Sequence, residues 1–539
     1  MSSANGRQDL SALGVQDLSA LGIQALVDPG KTPTDEQVRV IEAPRRPLLV
    51  VAGAGSGKTE TMSMRVLWLV ANHEDIAPSS VLGLTFTRKA AGELGDRLRQ
   101  RLALLARRVP SLRERLDEDP VSLTYNSFAE RIVAEHGMRI GIDPDFTMLT
   151  EAGAVDLMTQ IVEGWPTDLD EDLSPSAAVG HCLHLAGEVG EHGYTVEEAR
   201  DALEGFGRDL EQIGATNDTA RKTLRANARR LAYLGPVEEF QRRKREGGLL
   251  DFSDQLVLAT RIVREAPAVR AQVRDEFQAV LLDEFQDTSV IQMELLSLLF
   301  HDHAVTAVGD PNQAIYGWRG ASASSLERFL DRFQDGPARP GQTLTLSTAW
   351  RNDRNILRAA NRVAAPLREH SRAAKSPVLR ARPGAGEGRV DVAYTQDYRS
   401  ALGAVVDFVS AHRARGTQEG KRPTTAVLCR RRSDFPYVDM ALREAGVPTQ
   451  IVGLGGLLDQ PSVQDARAAL VLADDVEASP WLARLLAGID LGAADLVALG
   501  DWARHLAREE GRDPHRAVLL DAVDNPPEPG WSASGGARG

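Results

Sequence analysis

The sequence is poor in cysteine and contains no long apolar run. Its two cysteines, Cys182 and Cys429, lie far apart in the chain. This excludes a disulfide framework and a zinc ribbon, and it fits a reducing compartment. No apolar stretch is long enough to cross a bilayer, and the polar amino terminus "MSSANGRQDL" has no apolar signal core. We therefore expect a cytoplasmic protein with no membrane partner.

The chain also lacks an excess of basic residues. Its 539 residues include 63 Lys and Arg against 76 Asp and Glu, so its formal net charge is -13. This balance argues against a wholly basic coat for nucleic acid, but it allows a basic groove on an acidic body, because the local field decides binding. The 11 histidines show no spacing typical of a metal site. The length is sufficient for several domains with large cores.

Short apolar strands and helical patterns alternate along most of the chain. The stretches "PLLVVAG" and "VLGLTFT" are each followed by a helical pattern, which predicts a parallel α/β sheet. Helical periodicity dominates from about residue 150 to 248 and predicts an insertion. Strands return at "QAVLLDEFQD" and "HAVTAVGD", whereas "TTAVLCRRRSDF" and "TQIVGLGG" suggest strands of a second α/β unit. The near-duplicate "QDLSALGVQDLSALGIQ" predicts a flexible or weakly helical leader.

The stretch "AGAGSGKT" has the pattern of a phosphate-binding loop. Its glycines, Gly53, Gly55 and Gly57, let successive backbone N–H groups face an anion at a helix N-terminus. Lys58 can reach the β- and γ-phosphates of a nucleotide, and the Thr59 hydroxyl can bind Mg²⁺. The strict pattern begins with Gly, where this chain has Ala52. The alternative interpretation is a chance glycine turn, but the preceding strand and following helix supply the expected context.

A pair of carboxylates, Asp283 and Glu284, follows the apolar run in "VLLDEFQDTS". A carboxylate at the end of a buried strand can hold Mg²⁺, and its neighbour can activate water for attack on a γ-phosphate. Ordinary strand-end carboxylates are the alternative interpretation. Together with the phosphate loop, the pair indicates a nucleoside triphosphatase.

An aromatic and basic cluster follows the next strand, in "VGDPNQAIYGWRGAS". Gln313 can sense the γ-phosphate, Tyr316 and Trp318 offer ring faces, and Arg319 can clamp a backbone phosphate. Stacking of a base on an aromatic ring contributes about 1–3 kcal/mol and tolerates any sequence. The two aromatic residues could instead belong to a core. A motor that moves along single strands needs such sequence-blind contacts.

These motifs together resemble the UvrD/Rep/PcrA family of superfamily-one DNA helicases. The resemblance runs from about Thr32 to about Asp474. It implies that Gln37 of "TPTDEQVRVI" contacts adenine and that Arg351 of "LSTAWRN" approaches the γ-phosphate. Trp350 would stack on adenine, where the family often has Tyr.

The resemblance also implies contacts with single-stranded DNA. "LTFTRKAAGEL" is similar to the first DNA-contact motif of the family and implicates Thr85, Phe86 and Arg88. "LTYNSFAERIV" resembles the next such motif, with Tyr125 and Asn126 where the family usually has Phe and His. ATP would lie between two RecA-like domains, and the implied reaction is ATP-dependent unwinding with 3′→5′ polarity in DNA repair or recombination.

The stretches "SGKTETMSMRVLWLVAN", "VLGLTFTRKAAGEL" and "IVGLGGLLDQPSVQDARAAL" are similar to actinobacterial helicase–nuclease subunits of the AdnAB type. This narrower resemblance implies a second such subunit as a partner. Two later family motifs, which read like "KGLEWD" and "YVALTRA", are not in the sequence, nor is a nuclease motif. We therefore expect a truncated product or the N-terminal part of a longer enzyme. An Arg supplied to a transferring phosphoryl group contributes about 10³–10⁵ in rate, so we expect weak hydrolysis and unwinding by this chain.

The predicted fold is α/β, with a RecA-like P-loop motor domain, a helical insertion, and the start of a second RecA-like domain with its accessory helices. The expected segments are a flexible leader (1–31), the first RecA-like domain (32–145 and 251–343), its helical insertion (146–250), the second RecA-like domain (344–460), and accessory helices with a disordered tail (461–539).

The candidate residues form three groups, with ATP and Mg²⁺ as cofactors and single-stranded and duplex DNA as partners. The candidate catalytic residues are Lys58, Asp283, Glu284, Gln313 and Arg351. The candidate ATP-binding residues are Gln37, Ala52, Gly53, Ala54, Gly55, Ser56, Gly57, Lys58, Thr59, Trp350 and Arg351, with Thr59 and Asp283 on the metal. The candidate DNA-binding residues are Thr85, Phe86, Arg88, Tyr125, Asn126, Tyr316, Trp318 and Arg319.

Two other functions remain open at this point. The chain could be a non-motor subunit that uses nucleotide only as a binding switch, or an inactive fragment that binds DNA. The missing later motifs favour these alternatives, whereas the retained Lys58, Asp283 and Glu284 favour the enzyme. A generic P-loop kinase fits less well, because it would not need the aromatic and basic cluster after "GDPNQ".

Overall fold

The computed structural model describes most of the chain and divides it into two compact units, Met1–Val390 and Asp391–Gly539. The described residues are 18–143, 146–167, 169, 173–214, 217–317, 325–334, 340–370, 375–418, 424–452, 461–489, 491–512, 514 and 517–527. No helix among them is long and apolar enough to cross a membrane.

The first unit is built on a six-stranded sheet of order β3-β2-β6-β7-β1-β8. The strands of this unit are Leu48–Ala52 (β1), Val81–Thr85 (β2), Val121–Thr124 (β3), Thr147–Met148 (β4), Leu249–Leu250 (β5), Ala279–Leu282 (β6), Val305–Gly309 (β7), Gln342–Leu346 (β8), Thr348–Ala349 (β9) and Arg380–Ala381 (β10). All neighbours in the sheet pair in parallel. The α/β fold predicted from the sequence is therefore confirmed.

Strands β1, β2, β6 and β7 are buried along their whole length. Continuous apolar runs such as "LLVVA" are typical of parallel strands, whose two faces are both covered by helices. Because the strands run in parallel, their carboxyl ends meet at one edge of the sheet. That edge carries the phosphate loop after β1, Phe86 after β2, Asp283 after β6 and Asp310 after β7.

Fourteen helices belong to the described part of the first unit. They are Ala20–Val27 (α1), Asp35–Ile41 (α2), Lys58–Asn72 (α3), Arg88–Arg108 (α4), Tyr125–His136 (α5), Glu151–Glu163 (α6), Pro175–Glu191 (α7), Val196–Ile213 (α8), Asp218–Glu246 (α9), Phe252–Glu265 (α10), Pro267–Glu276 (α11), Val290–Phe300 (α12), Ser325–Phe333 (α13) and Arg354–His370 (α14). Helices α1 to α4 supply one apolar core of the sheet, and α5 and α10 to α13 supply the other.

Helix α1 corrects the expectation of a flexible leader over part of residues 1–31. Ser19 caps this helix, and Ala20 and Ile23 are fully buried in the core shared with α3 and α4. The side chain of Asn72 binds both backbone groups of Leu18, accepting from its N–H at 2.6 Å and donating to its carbonyl at 2.9 Å. The apolar residues of the repeat thus have a partner surface that periodicity alone did not indicate. Residues 1–17 lie outside the described residues.

Helices α6 to α9 form the expected helical insertion, which has a core of its own. Met158, Cys182, Leu234 and Phe240 are among the side chains buried in it. The two connections between this insertion and the rest of the first unit run side by side, because β4 and β5 pair in parallel.

The start of the predicted second RecA-like domain lies in the first unit. Strand β8 extends the central sheet beside β1, and the backbone N–H of Gly53 donates to the carbonyl of Leu346 at 3.2 Å. The segment 344–390 therefore packs with the phosphate loop, whereas we expected it to begin a separate domain. This contact brings Trp350 and Arg351 next to the loop.

The second unit is helical in its described residues. Its helices are Tyr398–Gln418 (α15), Phe435–Glu444 (α16), Pro461–Asp474 (α17), Ser479–Ala487 (α18), Ala493–Glu509 (α19) and Leu519–Asp524 (α20). The predicted strands in "TTAVLCRRRSDF" and "TQIVGLGG" are not formed within residues 424–452. A strand needs a neighbour to satisfy its backbone groups, and Val392, Leu428 and Val452 are here exposed without one. Residues 528–539 lie outside the described residues.

Candidate functional site

The phosphate loop connects β1 to α3 and curls as its glycines predicted. Gly55 and Gly57 adopt positive φ angles of 73° and 83°. A Cβ atom at Gly55 would lie 2.8 Å from the Arg351 Cβ, and one at Gly57 would lie 2.9 Å from the Gln37 Nε2. Both glycines are therefore required by conformation and by space. The Ser56 hydroxyl is buried and has no hydrogen-bond partner, which suits an anionic oxygen in the loop.

The loop opens into a cleft of about 440 Å³ that collects most of the predicted ATP site. The cleft is lined by Ala54, Gly55, Ser56, Gly57, Lys58, Thr59, Glu60, Arg97, Glu284, Gln313, Trp350 and Arg351. Glu60 and Arg97 were not predicted. Glu60 accepts from Arg101 Nη2 at 2.7 and 2.6 Å, so the packing of α4 against α3 decides the position of these charges. Short-range motif patterns carry no signal for such a contact.

Lys58 and Glu284 face each other across this cleft, with 2.8 Å between Nζ and Oε2. Glu284 adopts a left-handed conformation, with φ 50° and ψ 40°, which is uncommon for a residue with a Cβ. This backbone turn directly after β6 allows the Glu284 carboxylate to reach Lys58. Strained conformations of this kind are concentrated at functional sites.

Asp283 is half-buried beside this pair. Burial, and then the negative charge of Glu284, raises the pKa of Asp283 to about 6, although Lys58 and Arg97 act in the opposite direction. A divalent cation would relieve this unfavourable charge. Mg²⁺ usually binds one or two protein oxygens together with waters and substrate phosphates. Asp283 and Thr59 would supply one carboxylate and one hydroxyl oxygen of that kind. No group of three or more His, Cys, Asp or Glu in the described residues could hold a metal by itself.

A hydrogen-bonded chain leads from Glu284 to Gln313. Gln286 Nε2 donates to Glu284 Oε2 at 3.0 Å, and Gln286 Oε1 accepts from the backbone N–H of Asp310 at 3.0 Å. The Asp310 carboxylate then accepts from Gln313 Nε2 at 2.7 Å. Gln286 and Asp310 were missed by the sequence analysis, although both lie within the motifs that it quoted. The chain connects the ends of β6 and β7.

Gln37 and Trp350 both lie next to Gly57. Gln37 is buried on α2, where its Oε1 accepts from the backbone N–H of Thr34 at 2.9 Å. The Trp350 backbone N–H donates to the Gly55 carbonyl at 2.8 Å, and its Cδ1 is 3.8 Å from the Cβ position at Gly57. The Trp350 ring is half-exposed. These two side chains suit contact with the base of a nucleotide whose phosphates occupy the loop.

An aromatic cluster lies near the same edge of the sheet. The rings of Phe86 and Tyr316 stack with centroids 5.6 Å apart, and Phe86 meets the edge of Tyr125 at 5.8 Å. Phe86 and Tyr316 are partly accessible, and Arg88 is exposed. The predicted contacts Trp318 and Arg319 lie outside the described residues.

Two predicted DNA contacts are buried in the structure, which corrects that expectation. Thr85 is 2% exposed and Tyr125 is 4% exposed. The Tyr125 hydroxyl donates to the Asp283 carbonyl at 3.0 Å, and burial raises the pKa of Tyr125. Neither side chain offers a face to a base. Asn126 is half-buried and accepts from Gln292 Nε2 at 3.3 Å.

Comparisons with known proteins agree with this geometry. Residues 33–334 match the family description of the UvrD/REP helicase N-terminal domain. The chain is 26% identical over 492 residues to a DNA helicase II of Haemophilus influenzae, covering 91% of this chain and 60% of the relative. It is 28% identical over 441 residues to DNA helicase II of Escherichia coli, covering 81% of this chain and 54% of the relative.

A third relative is the ATP-dependent DNA helicase UvrD2 of Mycobacterium tuberculosis, at 28% identity over 500 residues, covering 91% of this chain and 64% of the relative. The chain thus spans between about half and two thirds of the length of these relatives. The narrower resemblance to AdnAB-type subunits stays a prediction.

Proposed function

Because the chain belongs to the UvrD/REP helicase family, we propose that it is the ATP-binding part of a DNA helicase. The motor would couple ATP hydrolysis to 3′→5′ movement on single-stranded DNA and to duplex unwinding in repair or recombination. The observation that carries the proposal is the single cleft in which the phosphate loop meets Glu284, Gln313 and Arg351.

Binding of ATP would change the partner of Lys58. The β- and γ-phosphates compete with Glu284 for the Lys58 ammonium, which lies 2.8 Å from the carboxylate without nucleotide. The released Glu284 carboxylate can then orient a water toward the γ-phosphate. Thr59 and Asp283 would hold Mg²⁺, which when bound neutralises charge on the phosphate oxygens. Arg351, which lies next to Gly55 in the same cleft, would contact the γ-phosphate.

The phosphate state would reach the DNA through the chain Glu284–Gln286–Asp310–Gln313. Gln313 lies shortly before Tyr316 in the sequence, and the Tyr316 ring stacks on Phe86. A hydrogen-bonded route therefore runs from Glu284 to Gln313, and the backbone between Gln313 and Tyr316 would carry the change on to the aromatic cluster. Single-stranded DNA would stack on these rings, because stacking on an aromatic face tolerates any base.

We further propose that turnover by this chain is slow. The sequence contains no stretch like "KGLEWD" or "YVALTRA", so the arginine that the latter supplies in the resembled family is missing. Arg351 would act alone on the γ-phosphate, and a missing arginine costs about 10³–10⁵ in rate. A second helicase–nuclease subunit is the partner that we expect to complete the set.

The test is ATP hydrolysis by the purified chain, with and without single-stranded DNA, beside Lys58→Ala. Lys31→Ala is the matched control, because Lys31 is exposed and pairs with Asp28 at the surface. ATP binding that Lys58→Ala abolishes and Lys31→Ala preserves supports the proposal, and hydrolysis stimulated by DNA shows a working motor. ATP binding without any turnover favours the nucleotide switch. A wild-type chain that does not bind ATP overturns both functions.

A further inference from the structure

Arg65 on α3 has a guanidinium that is fully buried without a carboxylate partner among the described residues. Its side chain is 0% exposed, and burial lowers its pKa to about 10, so that it stays charged at neutral pH. Burial of an unpaired charge is costly unless hydrogen bonds compensate. A buried apolar side chain would fill the same space at a lower free-energy cost of desolvation. The presence of a charged residue at this position therefore needs a reason other than packing.

The hydrogen bonds of Arg65 tie three elements together. Its Nε donates to the Thr306 hydroxyl of β7 at 2.8 Å. Its other nitrogens donate to four carbonyls at distances of 2.8–3.2 Å. These carbonyls belong to Val40, Ile41, Ala43 and Pro44. They are the end of α2 and the turn that follows it, where a helix has unsatisfied carbonyls and a negative dipole end.

Helix α2 carries Gln37, whose Nε2 lies 2.9 Å from the Cβ position at Gly57. Gln37 and Ile41 lie on the same face of α2, one turn apart. A shift of α2 along α3 would therefore move the Gln37 amide away from the base side of the cleft. It would leave Lys58 and the backbone N–H groups of the loop in place, because these belong to α3 and its own N-terminus.

A second tie joins α2 to the segment that carries Trp350. The Glu36 carboxylate accepts from the backbone N–H and from the hydroxyl of Ser347, both at 2.7 Å. Glu36 precedes Gln37, and Ser347 lies just before Trp350. The contact between Glu36 and Ser347 thus holds Gln37 and the segment of Trp350 together. Arg65 in turn holds α2 against α3, which begins at the phosphate loop.

We propose that Arg65 is a positioning residue for the nucleotide base. It fixes α2 against α3 so that Gln37 and Trp350 are both placed to contact the base of a purine nucleotide, whereas the phosphate chain is bound without its help. This inference rests on the proposed function, since it assumes that the cleft binds ATP. Its consequence is that Arg65 supports the part of the affinity that depends on the base.

The experiment compares a ligand that has a base with one that lacks it. Dissociation constants of Mg²⁺-ATP and Mg²⁺-tripolyphosphate are measured by calorimetry for the purified chain and for Arg65→Met. We expect ATP binding to weaken about tenfold, the amount that one or two lost hydrogen bonds explain. Tripolyphosphate binding should change by less than about twofold. Thr306→Val should also weaken ATP binding, by a smaller factor, and should leave tripolyphosphate binding unchanged. This variant provides the test if Arg65→Met does not fold.

The matched control is Arg115→Met. Arg115 Nη2 donates to the carbonyls of Val70 and His73 at 2.6 and 2.8 Å, at the far end of the same helix α3. This variant removes a similar helix-end contact and should leave the ratio of the two dissociation constants unchanged. The inference is overturned if Arg65→Met and Thr306→Val weaken the binding of both ligands equally, or if they weaken the binding of neither. A wild-type chain that binds neither ligand refutes the proposed function itself.

Discussion

The Lys58 ammonium lies 2.8 Å from the Glu284 carboxylate, although 226 residues separate them in the sequence. The phosphate loop supplies one partner and the left-handed turn after β6 supplies the other. A γ-phosphate and Glu284 would compete for the same cation. The pair therefore determines how substitutions should separate nucleotide binding from hydrolysis.

Glu284→Gln should separate these two steps. The neutral amide cannot hold Lys58 in an ion pair and does not repel the γ-phosphate, so ATP affinity should stay the same or increase. Loss of the carboxylate that orients water should lower turnover at least about 100-fold, as expected for a general base. Calorimetry and a phosphate-release assay measure the two effects. Glu74→Gln, at an exposed position, should change neither, and unchanged turnover in Glu284→Gln would rule out the proposed role.

The aromatic cluster predicts a contrast between Phe86→Ala and Tyr125→Phe. Phe86→Ala removes an accessible ring, and loss of one stacked base costs about 1–3 kcal/mol. Affinity for fluorescent oligo-dT, measured by anisotropy, should fall at least about fivefold. Tyr125→Phe removes the buried hydroxyl that donates to the Asp283 carbonyl, which should lower the free energy of unfolding by about 1 kcal/mol and leave DNA affinity intact. Weaker DNA binding by Tyr125→Phe would restore the contact expected from the sequence.

Docking of α1 predicts a difference between two neighbouring apolar residues. Ile23 is fully buried, whereas Leu21 on the same helix is 51% exposed. Ile23→Ala should lower the free energy of unfolding in urea by about 2–4 kcal/mol, because it leaves a cavity in the core. Leu21→Ala should lower it by less than about 0.5 kcal/mol. Equal small effects would mean that α1 does not dock in solution.

His303 predicts loss of stability at acidic pH. Burial lowers the pKa of His303, and the positive charges of Arg274 and Arg45 act in the same direction, against the Phe277 carbonyl and Asp302. The proton therefore binds the unfolded state more strongly than the folded state. The contribution of His303 to the free energy of unfolding is complete above the unfolded-state pKa of about 6.5, and it decreases as the pH falls below that value. His303→Gln should flatten the part of the urea-stability profile between about pH 7 and 5 that this group causes. An unchanged slope would show that His303 is not responsible.

The local patterns of the sequence predicted the fold class and many of the residues that line the cleft. Glycine spacing before Lys58, apolar runs without alternation and carboxylates at a strand end each depend on interactions between near neighbours in the chain. Parallel strands then bring their carboxyl ends to one edge of the sheet, whatever the intervening sequence. The phosphate loop, Glu284 and Gln313 could therefore be assigned to one site in advance, whereas Arg351 was added only by the family resemblance.

The tertiary structure alone decided which side chains are buried and which distant groups pair. The family resemblance implied that Tyr125 contacts DNA, but its ring is buried and its hydroxyl donates to the Asp283 carbonyl. The repeat in the leader resembles a flexible segment, but its second copy docks on α3 and α4. Arg65, Arg97 and Gln286 acquire roles only through helices and strands far away in sequence. Burial and partner choice depend on the whole packed arrangement, and local spacing carries no record of it.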